Sequence, residues 1–234
     1  MSGLLIKLIS AHLAGDFLFQ PAKWVENRQA HKIKSPYLYA HTGVHALLLL
    51  IVLQFDFRYA PGMLVIVLSH FLLDLAKAYA EGKIDGRILF FTDQLLHLSI
   101  ILGVVKYYEP SFKLVPDNWN GDRIWLFLAF LLLLTVVSST VIKLLLAPFK
   151  TGEPATNRAG KYIGMLERLF VFFFILANYW EGIGFLLAAK SVFRFGDLTK
   201  AKDRELTEYM LIGTLLSFGM AMGLAVGYLY LVSG

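Results

Sequence analysis

At eight places along this chain apolar residues run for about the length needed to cross a lipid bilayer: approximately 3–20, 37–57, 61–80, 88–108, 122–147, 161–180, 182–195 and 207–232. A helix needs roughly 20 such residues to traverse a hydrocarbon core of about 30 Å. Inside lipid the backbone must satisfy its own hydrogen bonds, which restricts spanning elements to helices and closed barrels. The runs here are continuous and do not alternate with period two. With 57% hydrophobic and 17% charged residues and a mean hydropathy of +0.62, the chain reads as an all-α, polytopic transmembrane bundle of about eight spans. The seventh is the shortest, since its purely apolar part, Gly182 to Ala189, ends in Lys190 and Arg194. The first lacks a basic leader and a small-residue cleavage pattern, so it is expected to stay in the mature protein and not to act as a signal peptide.

The connections near 21–36, 109–121 and 148–160 are too short to bury a soluble core. The chain is therefore expected to form one integrated membrane domain, with residues 1–108 and 109–234 as its two four-span halves. The segments 21–36, 77–87, 143–161 and 190–204 hold 4, 3, 4 and 5 Lys plus Arg, which is 16 of the 22 in the chain. Positive residues favour the cytoplasmic side, so both termini are predicted to be non-cytoplasmic, in a bacterial inner membrane. The net charge of +5 then sets orientation, and nucleic acid is not an expected partner; the lipid bilayer is. There is no Cys, which removes disulfides and thiolate ligands and leaves nitrogen and oxygen donors for any metal.

Those donors recur with one spacing. His12 precedes Asp16, His41 precedes His45, His70 precedes Asp74 and Asp93 precedes His97, each by four residues. Four residues return a side chain to the same helix face one turn along. With the spans alternating in direction, Asp16, His41, Asp74 and Asp93 fall about one turn from the cytoplasmic end. His12, His45, His70 and His97 fall one turn deeper. A carboxylate at the centre of a membrane helix costs roughly 2.5–3.5 kcal/mol on insertion scales, so three of them need compensation. A divalent ion supplies it, and imidazole with carboxylate suits Zn first, with Mn or Fe as alternatives. Eight donors leave room for one or two ions. Asp16, Asp74 and Asp93 are then the candidate general bases.

Other polar residues extend the pattern. Gln20 continues the His12 and Asp16 face, Gln94 follows Asp93, and Lys77 lies near Asp74. In the second half Glu167, Arg168, Lys190 and Arg194 lie near cytoplasmic ends, where Arg and Lys suit a phosphate or carboxylate of a substrate. These seven are the candidate substrate-binding residues. The loop between Pro21 and Pro36 is basic, with Lys23, Arg28, Lys32 and Lys34. Gly219, Gly223 and Gly227 in the last span form small-xxx-small steps that permit close helix approach, within the bundle or in a homo-oligomer.

The strings HLAGDFLFQP, HTGVHALL, SHFLLDLAK and TDQLLHL resemble an uncharacterised family of bacterial multi-pass inner-membrane proteins, a domain of unknown function (3307). The later segments GKYIGMLERLF, AAKSVFRF and EYMLIGTLLS look like the C-terminal region of its longer members. The resemblance implies a membrane protein and supplies no mechanism. A looser similarity, in residue types and spacing alone, is to membrane-bound metal-dependent hydrolases.

These readings lead to one expectation and two rivals. The expectation is a membrane-embedded metal-dependent hydrolase in which a metal-activated water attacks an amphiphilic, lipid-like or phosphorylated substrate from the cytoplasmic side. The first rival is a divalent-cation or proton transporter using the same centre. The second is a structural or regulatory membrane subunit held together by the metal.

Overall fold

A computed structural model describes residues 3–111, 123–149, 158–192 and 201–233. Every named element is a helix, and the described residues contain no β-strand beyond an isolated bridge between Glu81 and Ile84. The chain divides into two compact units, Met1–Ala129 and Phe130–Gly234.

In the first unit α1 (Gly3–Leu13) runs into a five-residue π-turn, Ala14–Leu18. Then come α2 (Ala22–His31), a 3₁₀ turn at Lys32–Lys34, and α3 (Pro36–Val52), which starts on a proline whose missing N–H is no loss in a first helical turn. A turn with Gln54 and Phe55 in the left-handed region, at φ 55° and 57°, leads into α4 (Ala60–Ala80). Asp85 caps α5 (Gly86–Tyr108) by accepting a hydrogen bond from the Arg87 N–H at 2.8 Å. α1 packs on α3 and α5, α3 on α4, and α4 on α5, which closes a ring of four helices.

Each helix of the ring buries one stripe, and each stripe changes character along its length. α4 buries Gly62, Ile66, His70, Asp74 and Ala78, a strict four-residue repeat. α3 buries Leu38, His41, His45, Leu49 and Val52; α5 buries Asp93, His97, Ile101, Val104 and Val105. The apolar half forms a core with Leu4, Leu5, Leu8 and Ala11 of α1. The polar half gathers at the other end. The outward faces carry large apolar side chains such as Leu64, Leu68, Leu72 and Leu95, each more than half exposed. Polar inside and apolar outside is the pattern of a helix bundle in lipid.

The second unit contains the rest of the helix begun at α6 (Arg123–Leu132), with a π-turn at Leu133–Val137 and α7 (Ser138–Leu146), then α8 (Arg158–Leu176), α9 (Trp180–Val192) and α10 (Ala201–Ser233). α8 packs on α10, on α9 and on the π-turn. Arg168 of α8 is 3% exposed and donates to the carbonyls of Leu134 and, at 3.1 Å, Thr135, and to the hydroxyls of Ser139 at 2.6 Å and Ser217 at 3.0 Å. A π-turn leaves carbonyls off the regular ladder, and the guanidinium collects two of them. Gly219, Gly223 and Gly227 face open space, with nothing within 4 Å of where a Cβ would stand.

Eight spans are not what the helices provide. Among the described residues four are long and apolar enough to cross a membrane, Phe57–Ala80, Gly86–Tyr108, Arg123–Phe149 and Glu208–Ser233. A fifth is added if Ala22–Lys34 and Pro36–Val52, bent by 109° at their junction, count as one broken span. The apolar run at 3–20 yields only eleven α-helical residues and the five-residue π-turn, about 24 Å at 1.5 Å per residue. The run at 161–180 becomes a nineteen-residue helix that includes Arg158, Lys161, Glu167 and Arg168, and α9 has thirteen residues. Hydropathy counted turn residues as part of the spans, which lengthened them.

Candidate metal centre

The eight paired His and Asp residues meet in one polar cluster at the end of the four-helix ring. Spacing of four put two donors on the inner face of each helix, and the alternating chain direction of α1, α3, α4 and α5 brought those faces to one level. Asp16 is the hub. Its Oδ1 accepts from the Nε2–H of His45 at 3.0 Å and of His70 at 3.1 Å, and His41 Nε2 lies 3.3 Å from the same oxygen. Its Oδ2 accepts from Gln94 Nε2 at 2.9 Å, with His12 Nε2 at 3.8 Å. Gln94 in turn accepts from His12 Nε2 at 3.2 Å.

Asp16 reaches this hub from a π-turn, not from the regular α-helix that the four-residue spacing predicts. The wider turn swings its carboxylate toward α3 and α4. Gly15 makes the approach sterically feasible, because a Cβ there would stand 2.4 Å from His45 Cε1.

The imidazoles form a continuous chain. Ring centroids are 4.6 Å apart for His41 and His45, 3.7 Å for His45 and His70, 4.2 Å for His70 and His97, and 5.2 Å for His97 and His12. All five are buried. Toward the helix ends Asp74 Oδ2 lies 3.5 Å from His41 Nε2 and 3.8 Å from His70 Nδ1, and Asp93 Oδ1 lies 3.7 Å from His97 Nδ1.

The two outer carboxylates have cation partners. Arg28 donates to Asp74 Oδ2, with both side chains buried, and Lys77 Nζ donates to Asp93 Oδ2 at 2.6 Å. Arg28 was expected in a basic loop, and the structure corrects this to a helix. The segment between Pro21 and Pro36 folds as α2, packs against α3 and α4, and turns Arg28 inward. A sequence clue existed in the charge imbalance of three apolar-embedded Asp residues with Lys77 as their one nearby Lys or Arg on those helices.

Several ring and carboxylate atoms are left without hydrogen-bond partners. They are both ring nitrogens of His41, Nδ1 of His70, Nε2 of His97 and Oδ1 of Asp93, all fully shielded. A buried polar atom without a partner costs about 1–3 kcal/mol, and five close together need a common explanation. For an ion held tetrahedrally at about 2.0–2.1 Å, neighbouring donor atoms stand about 3.3 Å apart. The distances of 3.0–3.5 Å around Asp16 Oδ1 and His41 Nε2 fit that spacing. Three donor groups have mutually close atoms: His12, Asp16, His45 and His70; His41, His70 and Asp74; and Asp74, Asp93 and His97. His70 and Asp74 each belong to two.

The remaining candidates are placed differently. Gln94 and Lys77 belong to the cluster. Gln20 lies beyond the π-turn, half-buried, and makes none of the hydrogen bonds described above. In the second unit Lys190 donates to Glu167 at 2.6 Å, and Arg168 spends its donors on bundle carbonyls and hydroxyls. Arg194 lies outside the described residues.

No curated protein and no solved structure matches this chain. The sequence profile described as Protein of unknown function (DUF3307) matches residues 4–120, the stretch that supplies every residue of the cluster. The chain belongs to that family of proteins of unknown function.

Proposed function

We propose that this protein is a membrane-embedded, metal-dependent hydrolase acting on an amphiphilic, lipid-like or phosphorylated substrate, with its site near the cytoplasmic face of a bacterial inner membrane. The observation that carries the reading is the convergence of three imidazole nitrogens, from His41, His45 and His70, within 3.3 Å of a single carboxylate oxygen of Asp16. Asp16 has no Lys or Arg partner among the described residues, unlike Asp74 and Asp93. A buried carboxylate with no Lys or Arg partner calls for a cation. The all nitrogen and oxygen donor set favours Zn, with Mn or Fe as alternatives.

When bound, such an ion supplies Lewis acidity and an acidified water. The chain's own residues do the rest. Gln94 holds Asp16 and His12 in place through two hydrogen bonds, the outer-shell role that fixes ligand orientation. Asp93 has a free oxygen beside His97 and serves as proton acceptor. Lys77 donates to that carboxylate at 2.6 Å and lies at the partly open rim, suited to an anionic substrate group. The cytoplasmic placement rests on the basic segment 21–36 at the same end of the ring.

A transit role for cations or protons would use the same imidazole chain. It is less favoured, because the buried stripes continue past the histidines as Leu8, Leu49, Ile66 and Ile101, which offer an ion no donors. Elemental analysis of the purified full-length protein tests the proposal, alongside Asp16→Ala and His45→Ala. Stoichiometric metal in the wild type and its loss in both variants is expected. A wild type free of metal after zinc loading sinks it, and metal-dependent flux in proteoliposomes would favour transport instead.

A further inference from the structure

Donors around the centre could hold two ions, and a protein cation lies against one of those places. Asp74 and Asp93 are paired with Arg28 and Lys77, whereas Asp16 has no Lys or Arg partner among the described residues.

Donors for a second ion are present. His41, His70 and Asp74 bring ligand atoms close to one another, while His12, Asp16 and His45, whose ligand atoms are also mutually close, remain for the first ion. Both nitrogens of His41 and Nδ1 of His70 lack partners, and both residues are 1% exposed. Asp74 Oδ2 is the oxygen that faces them, 3.5 Å from His41 Nε2 and 3.8 Å from His70 Nδ1. It is also the oxygen to which Arg28 donates.

Resting on the metal reading above, we infer that Arg28 stands in for a second metal ion, holding the centre at one ion while it is bound to Asp74. Arg28 donates to the one Asp74 oxygen that faces His41 and His70, so an ion held there would compete with the guanidinium for that oxygen. Withdrawing Arg28 frees the Asp74 oxygen that faces His41 and His70. The arm that carries Arg28 is suited to withdrawal. α2 is ten residues long, preceded by Pro21 and followed by Lys32 with φ 52°, a backbone conformation costly for a residue with a side chain. It is tied to α4 by polar contacts near its end, Gln29 to Glu81 at 2.5 Å and Lys32 to the Ala78 carbonyl.

The test is zinc stoichiometry of full-length protein in detergent, stripped by chelator, reloaded with Zn²⁺ and freed of excess. One zinc is expected in the wild type and two in Arg28→Met. One is expected in Arg28→Lys, which keeps the charge, and one in Arg28→Met combined with Asp74→Asn. Arg28→Gln is read in the same way if Arg28→Met does not fold. A single zinc in both neutral variants, or two in the wild type, overturns the inference and leaves the one-ion centre standing. Zero in wild type and variants alike removes the metal reading itself.

Discussion

Gly15 and His45 are fitted to each other: the histidine ring occupies the volume in which any side chain at position 15 would begin. A Cβ on Gly15 would come within 2.4 Å of Cε1, 2.5 Å of Nε2 and 2.9 Å of Nδ1. The ring is pinned by its bond to Asp16, so it cannot give way without leaving the centre. Gly15→Ala is therefore expected to leave the protein in the membrane with less than half the wild-type zinc. Overpacking of this kind costs about 1–3 kcal/mol. Zinc content and thermal stability of the detergent-solubilised protein check it, and unchanged zinc would show that α1 can shift.

Gln94 touches no metal in the proposed arrangement, yet it joins His12 to Asp16. Losing such an orienting residue typically weakens metal affinity by about 10–100-fold. Gln94→Ala should show that loss in a competition titration against a chelator of known affinity, while its folded yield stays near the wild type.

Lys77 and Asp93 form a pair whose members are worth less alone than together. Lys77→Met strands a buried carboxylate, and breaking a buried pair from one side costs about 3–5 kcal/mol. Adding Asp93→Asn should recover most of the stability. A double-mutant cycle on unfolding in mixed micelles measures the coupling; additive losses would mean that the 2.6 Å contact contributes little.

Arg168 organises the second unit by gathering acceptors from α7, the π-turn and α10. Lysine has the charge but not the planar fork. Arg168→Lys is expected to be destabilised by about 1–3 kcal/mol, since at least two buried acceptors lose their donors. Protease susceptibility of α8 and α10 in detergent is the readout, and a wild-type digestion profile would rule against the network as a stabilising element.

The part of the centre that was readable in the sequence came from a conflict between composition and chemistry. His12, His41, His45, His70, His97 and their Asp partners sit in segments that lipid should strip of polar groups, and period four put each pair on one face. Direction reversal between consecutive spans then required a common level. Arg28 could not be read in this way, because its segment is polar, flanked by prolines and looks like a solvated loop. Nothing local says that a ten-residue helix there folds back onto α3 and α4. The π-turn at Asp16 was equally hidden, since a residue inserted into a turn leaves the spacing of letters unchanged. The span count was overestimated because α1 and α9 are apolar enough for lipid but too short, which depends on where helices stop, and because α8 carries Lys161, Glu167 and Arg168 along an otherwise long enough helix.

The stripes that turn from imidazole and carboxylate to Leu, Ile and Val halfway along α3, α4 and α5 make the first unit unequal end to end. An ion or polar headgroup arriving from the apolar end would have to cross a layer that gives it no ligand, at a cost of several kcal/mol per charge. From the end where Pro21 and Pro36 bracket α2, it meets Lys77 and the carboxylates at once. The unit is thus sided: under the proposed reading a substrate would reach the donors from the end that carries α2 and not from the other.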